Sequence, residues 1–541
     1  MKAKSQLAGI LTGLALAGVQ LIRVAPVFAQ DNVVKEFDAG FGPNSVGVVD
    51  AGEDTEIAGP QAIYAGDDGA IYLLDQVNSR VVGFDAKEPG ARTRSLALPE
   101  DMEPTDLIVT EGKIYVWDGK PIPLEASDGG LTRSVIPGGA ALGLDNTAQS
   151  MFGQMGSEQL PEDATGTRAL APAAGRLVGR QLIATHGKGP VSVDITRDKD
   201  ETAARLEARQ QGSSTLLAKL QLKVRDKLGS VEFLDIDHQG RMFVLAENIP
   251  AVAMEGASTF VARFSPRGAL EGIYELPLTP SIALSRRFVT VSPDGDVYFL
   301  RTRKGVVDVI GVGFRLLKNG KVIDVRGPAP NYADLAKDRK GAIAAVRPLT
   351  RARVLETARG FESITWRLNA RSYGPDPDAR CSGFNRIRRP GYLIGRAGQD
   401  VRGIPYCWGC QGSLGQIANK IARGALAGNV CTRDIPRYDV VGVDCSSFVS
   451  AAWGLSTHFT TAAIPSIAPR VSNPWDLKPG DALDKPGSHV MLFLGFTPDR
   501  KAEVFEASPG GCNGRVCHNV YPLAALLARG YEPRRFRALL N

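Results

Sequence analysis

The chain has 541 residues, more than one ordinary domain, and two or three are expected. With 43% hydrophobic and 23% charged residues and no long low-complexity tract, it is neither disordered nor fibrous, and its 60 glycines favour turn-rich β structure over a helical bundle. The net charge of +6 is uneven: residues 371–541 carry 21 Lys and Arg against 13 Asp and Glu, which leaves the rest at −2. A basic C-terminal part suits an anionic polymer.

Residues 1–29 read as a signal peptide. Lys2 and Lys4 supply the positive start, Leu7 to Ile22 is apolar but too short to span a bilayer, and Val27-Phe28-Ala29 fits cleavage after Ala29. An uncleaved anchor is the rival reading. The first cysteine is Cys381, which excludes a lipoprotein anchor, and no later stretch is apolar for long enough to cross a membrane. The mature chain is therefore expected outside the cytoplasm, periplasmic or secreted, with no transmembrane segment.

Over residues 35–345 a turn with glycine followed by an alternating apolar run recurs. It is seen at Gly69-Ala70-Ile71-Tyr72-Leu73, Gly112-Lys113-Ile114-Tyr115-Val116, Gly240-Arg241-Met242-Phe243-Val244 and Gly295-Asp296-Val297-Tyr298-Phe299. The glycine suits the φ > 0 position of a hairpin turn and the alternation is a strand signal. The steps are 43, 128 and 55 residues, and a period near 43 fits one four-stranded propeller blade, giving about six degenerate blades. The segment Gly59 to Val82 resembles an NHL-type propeller repeat. Glu201 to Gly212 reads as a helical insertion. His238 falls on a repeat turn and reads as a turn residue; His186 has no partner pattern. A protein or glycan partner at the propeller is expected, but nothing names it. Residues 346–390, with Pro375, Pro377, Pro390 and several arginines, read as an extended linker.

The chemistry lies in residues 391–541. In Gly442-Val443-Asp444-Cys445-Ser446-Ser447-Phe448-Val449-Ser450-Ala451-Ala452-Trp453, apolar residues recur at helical spacing behind Cys445, and Asp444 is a good N-cap. Cys445 then sits in a first helical turn, where the helix dipole favours the thiolate nucleophile. His489 opens an apolar strand and Ala502 to Ser508 is the returning strand. A hairpin centred between Thr497 and Pro498 places Glu506 opposite His489, and a one-step shift places Ser508 there. A cysteine nucleophile needs a base, and the base needs a group to hold its other nitrogen. Cys445, His489 and Glu506 can supply these in order.

Four motifs in order, Tyr406-Cys407-Trp408-Gly409, Asp444-Cys445-Ser446, Pro479-Gly480-Asp481 and Ser488-His489-Val490, resemble those of the NlpC-type cell-wall cysteine peptidases over roughly a quarter of the chain. The resemblance implies a papain-like α+β domain over residues 391–541, so that with the repeats before it the expected fold is multidomain, an all-β propeller followed by that domain. It also implies hydrolysis of amide bonds in peptidoglycan stem peptides without a cofactor or metal, with Tyr406, Asp444 and Ser446 holding the substrate's amino group. Peptidoglycan or its fragments is then the expected partner, and nucleic acid is not. Glu506 departs from the histidine common in the family. Cys410 stands where glycine is usual, and Asn429-Val430-Cys431-Thr432 is an unusual insertion. An amidase or acyltransferase on the same fold, or a catalytically silent wall-binding protein, are the alternatives.

All seven cysteines lie between Cys381 and Cys517, and export makes disulfides expected. Cys512 and Cys517 flank an Asn513-Gly514 turn and are expected to pair. Cys381, Cys407, Cys410 and Cys431 make two more bridges of undecided connectivity, and Cys445 keeps its thiol. Zinc at Cys407-x-x-Cys410 is the rival, without a second pair at matching spacing.

Overall fold

A computed structural model describes residues 32–49, 55–133, 176–328, 348–373, 390–428 and 439–540, less a few single positions and short loops within those ranges. The expected signal peptide, Pro375, Pro377, Cys381 and the Asn429–Thr432 insertion lie outside the described residues. Among the described residues, no helix is long and apolar enough to cross a membrane.

The chain before residue 320 is mostly β, in antiparallel sheets that form a propeller-like ring. Blade one holds Ala62–Ala65, Ala70–Asp75, Arg80–Asp85 and Arg94–Ala97; blade two holds Asp106–Thr110, Lys113–Trp117, Pro121–Ser127 and Gly130–Arg133. Blade three holds Arg176–Ile183, Val191–Arg197, Ala203–Gln210 and Leu216–Lys223; blade four runs from Lys227–Ile236 to Leu270–Glu275, with Phe314–Leu316 on its edge. Blade five holds Val289–Val291, Val297–Arg303 and Val306–Gly311, and the chain's own start, Asn32–Ala39, pairs with the last of these. The first strands of blades five and one, one and two, three and four, and four and five pack on one another.

The glycine turns are where the pattern placed them. Gly69, Gly112, Gly240 and Gly295 all have φ between +71° and +85°, and each joins the first two strands of a blade. Five blades are described. The expectation of about six divides the gap between Gly112 and Gly240 into three equal steps, and that gap holds the end of blade two, residues 134–175 outside the described set, and blade three. Glu201 to Gly212 is not a helix but the strand Ala203–Gln210, in which Ala204, Leu206 and Ala208 are buried in alternation. A period of two outweighs the helix-forming side chains on its other face.

The expected linker is also corrected. Arg351–Ser363 is a helix capped by Thr350, and it buries Val354, Ala358 and Phe361 in the core of the C-terminal part. Spacing of four and then three residues puts these on one helical face, a signal that the prolines further on obscured. Phe361 meets Phe448 edge-on at 5.7 Å, and Trp453 stacks on Phe536 at 4.9 Å. The C-terminal sheet has five antiparallel strands in the order Arg515–Tyr521, Ala502–Ser508, His489–Phe496, Ala482–Lys485, Glu532–Arg534, with helix Cys445–Ala452 packed against it.

The two parts share an interface. Leu483, Met491, Leu523 and Leu526 form one buried cluster with Ile249 and Leu284 of the ring. The Ala524 amide donates to Glu247 at 2.8 Å, and Lys501, on the hairpin after His489–Phe496, sits buried between Glu232 and Asp499.

Candidate functional site

Cys445 is the first residue of helix Cys445–Ala452, and its position is set by the residue before it. The Asp444 carboxylate accepts the Ser447 amide at 2.7 Å, and the Ser447 hydroxyl accepts the Asp444 amide at 2.9 Å, a reciprocal cap. The other Asp444 oxygen accepts the Gly409 amide at 2.8 Å, which ties the Tyr406–Gly409 segment to the helix start. Tyr406 bridges Val443 in parallel fashion, and a Cβ at Gly442 would overlap the Pro405 carbonyl, so the two segments lie backbone on backbone. Cys445 is a thiol with no exposed surface.

His489 begins the strand against which that helix packs, and is equally buried. Its Nε2 lies 2.7 Å from Glu506 Oε2, while Nδ1 is buried with no hydrogen-bond partner. Leu492 pairs with Phe505, and that register carried back puts Ser508, not Glu506, across from His489. Glu506 is the diagonal neighbour, and its longer side chain makes the contact. Its other oxygen accepts Tyr521 Oη at 2.6 Å and Asn519 Nδ2 at 2.7 Å. Both come from Arg515–Tyr521, where Cys517, Asn519 and Tyr521 share one parity and Cys517 is paired with Glu506.

Electrostatics follow from this burial. Desolvation alone lowers the His489 pKa, but the hydrogen bond and charge of Glu506, with Glu56 behind it, outweigh burial and hold the imidazole above its ordinary range. For Glu506, burial favours the neutral acid. The bond and charge of His489 and the bonds from Tyr521 and Asn519 reverse that, and its pKa falls below the usual carboxylate value. The result is a buried, hydrogen-bonded carboxylate–imidazole pair in which the ring takes a proton more readily than a free imidazole does. Tyr531 stands edge-on to His489 at 6.3 Å and is pushed up by burial and by the charges of Glu56, Glu506 and Cys445.

The residues expected to hold substrate cluster at the other side of the helix start. Tyr406, Asp444 and Ser446 are all buried. Ser446 Oγ lies 3.1 Å from Asp444 Oδ1 and 2.7 Å from His458 Nε2, which is itself 3.6 Å from Asp444. Sequence reading missed His458, which stands outside every motif. It also missed Asn519 and Tyr521, which strand parity marks once Glu506 is placed.

The largest omission is Glu56, from the segment leading into blade one. It is buried; its carboxylate accepts the Ser508 hydroxyl and, at 3.2 Å, the Gly511 amide. Burial raises its pKa, and the charge of Glu506 adds to the rise. One ligand atom each from Glu56, His489 and Glu506 lie within 4.8 Å of one another, a donor set that suits a borderline metal ion such as zinc. The other zinc reading is closed: Cys407 and Cys410 form a disulfide with Cα atoms 5.3 Å apart. Cys512 and Cys517 pair as expected, with Cα atoms 5.5 Å apart. In the ring, His238 is a turn residue whose amide donates to Pro293. His186, by contrast, has its side chain buried between Asp67, 3.3 Å from Nδ1, and Asp235, 3.7 Å from Nε2.

No family model matches the chain, and no curated protein matches it. Solved structures similar in part include a streptogramin B lyase, 13% identical over 52% of this chain and 91% of that one, TM-score 0.20. A catalytically inactive virginiamycin B lyase from Staphylococcus aureus with quinupristin is 9% identical over 47% and 80%, TM-score 0.19. An exo-1,5-alpha-L-arabinanase from a bovine ruminal metagenomic library is 10% identical over 48% and 93%, TM-score 0.21. At such scores the likeness carries no argument about activity, and the propeller-like ring rests on its own strand order.

Proposed function

We propose that the chain is an exported cysteine peptidase of the NlpC type, with a papain-like C-terminal domain, that hydrolyses amide bonds of peptidoglycan stem peptides. One observation carries the reading: Glu506 holds Nε2 of His489 at 2.7 Å and leaves the buried Nδ1 without a hydrogen-bond partner, on the strand that packs against the helix headed by Cys445. A base oriented on one nitrogen and available on the other is what a thiol nucleophile requires.

In this mechanism His489 takes the Cys445 proton, and the helix N-terminus and the imidazolium favour the thiolate. The sulfur adds to the scissile carbonyl carbon. His489 then protonates the departing amine, leaving a thioester on Cys445. A water, deprotonated by His489, adds to the thioester and restores the thiol. Glu506 keeps the ring in the required tautomer and stabilises its charge. Tyr406, Asp444 and Ser446 recognise the amino end of the peptide, and the propeller-like ring targets the enzyme to the wall or to a partner. The test is incubation with defined muropeptides and mass analysis. A new amine and carboxylate pair from wild type, absent with Cys445→Ala, supports the reading. Transfer of the acyl group to another amine instead of water would favour an acyltransferase on the same fold.

A further inference from the structure

We propose that the ring supplies part of the catalytic apparatus: Glu56 and Arg286 are positioning residues that hold the Glu506–His489 pair in place. The proposal rests on the cysteine-peptidase reading above and extends it to residues that no motif includes.

Two independent contacts carry it. The first is Glu56. Its carboxylate grips the Ser508 hydroxyl and the Gly511 amide, at the end of the strand that bears Glu506 two residues earlier. The seat is close-fitting. A Cβ added at Gly511 would lie 3.4 Å from the Glu56 carboxylate and 3.2 Å from Tyr521 Oη, and one at Gly510 would lie 3.1 Å from the Ala58 side chain. The loop after Glu506 is therefore shaped against the ring, with glycines where the Glu56 and Ala58 side chains come nearest. The second contact is Arg286, which donates to Asn519 Oδ1 at 2.7 Å. With its oxygen taken, the Asn519 amide must present Nδ2, and Nδ2 donates to Glu506 Oε1 at 2.7 Å. One ring residue fixes the loop behind Glu506; the other fixes the amide that holds Glu506 from the side.

Both contacts are made to groups that hold Glu506, and Glu56 adds its charge behind His489. Losing either loosens the carboxylate and, with it, the imidazole. Turnover is then expected to fall while substrate binding, which lies on the Tyr406 and Ser446 side, does not. A buried hydrogen bond to a charged group sets the scale at about a tenfold loss.

The experiment uses the full chain and two readouts: hydrolysis of a defined muropeptide, and the rate at which iodoacetamide alkylates Cys445 at fixed pH, followed by mass spectrometry. Glu56→Ala and Arg286→Ala should each lower kcat by about tenfold with KM unchanged and slow alkylation, while Glu56→Gln, which keeps an acceptor for Ser508 and Gly511, should recover most of both. Should Glu56→Ala fail to fold, Ser508→Ala removes the same grip from the other side and should show the same split. Wild-type kcat and alkylation rate in the Ala variants would overturn the proposal, as would a change confined to KM. Treatment with a chelator should leave both readouts unmoved. A loss that zinc restores would replace positioning by a metal held between Glu56, His489 and Glu506. If wild type cleaves no wall peptide, the peptidase reading fails, and the alkylation rates still decide whether the ring positions the thiol's partner.

Discussion

Replacing Glu506 tests the buried pair most directly. Glu506 has no exposed surface and accepts three hydrogen bonds, from His489, Tyr521 and Asn519, at 2.6 to 2.7 Å. Glu506→Ala takes the acceptor from His489 Nε2 and Tyr521 Oη, while Asn519 Nδ2 keeps the Gly511 carbonyl at 3.1 Å. Breaking a buried charged pair in this way costs about 3–5 kcal/mol of stability. Glu506→Gln keeps an acceptor for His489 but sets an amide N–H group near Asn519 Nδ2, whose own oxygen Arg286 occupies, so an intermediate cost of about 1–3 kcal/mol is expected. The pH dependence has a definite sign. The folded pKa of His489 lies above its ordinary 6.5, so its contribution is full below that value and fades as pH rises through the folded one. The folded pKa of Glu506 lies below its ordinary 4.5, so its contribution is full above that value and fades as pH falls through the folded one. The difference between wild type and Glu506→Gln should therefore peak between these two ordinary values, 4.5 and 6.5, and shrink in alkaline buffer. Denaturant unfolding at about pH 5.5 and about pH 9, fitted with a common slope, reads it. A difference that is flat with pH, or larger at the alkaline end, would refute the charged pair.

Cys445→Ala should abolish muropeptide cleavage with the unfolding midpoint little changed, and iodoacetamide on the native, unreduced protein should mark Cys445 first; cleavage by the variant, or labelling elsewhere, contradicts the mechanism. Phe361→Ala should destabilise the C-terminal part by about 3–5 kcal/mol, because the ring packs on Phe448 inside the core. For the same reason residues 391–541 alone, which lack that helix, should not fold stably, whereas circular dichroism showing a cooperative melt of that piece would show the helix to be dispensable. Replacing Cys512 and Cys517 by serine should cost about 2 kcal/mol, the loop-closure entropy of so short a ring, measured as a fall in denaturation midpoint.

What could be read from the chain is what local chemistry determines. Glycine at positive φ marks the hairpins of four blades, since only a residue without Cβ sits there at no cost. Asp444 caps a helix whose apolar face follows it, so the placement of Cys445 is a property of ten residues. His489 and Glu506 share face parity on one hairpin, and parity survives even though the register puts Ser508 across from His489. The sixth expected blade has no counterpart among the described residues, and residues 134–175, where the period would continue, lie outside them. Helix Arg351–Ser363 was overlooked because prolines downstream outweighed three well-spaced apolar residues. Glu56 and Arg286 were invisible for a different reason. Their partners lie 452 and 233 residues away, and no propensity or periodicity encodes a contact at that separation. His458 likewise gains its place from Ser446 and Asp444 across a loop.

The seam of the ring has a temporal consequence. Asn32–Ala39, the first described strand, pairs with Val306–Gly311, so blade five is complete only when residues some 270 positions apart have met. Glu56 lies between that seam and blade one, anchored on both sides. Contacts of such sequence separation form slowly, because the intervening chain must surrender its freedom before they reward it. On the reading proposed above, the segment that steadies Glu506 reaches its seat only after the ring has shut, and the last strands of the chain must then dock against it. The orientation of His489 would then be completed in one late step of folding, when the two ends of the described chain have met.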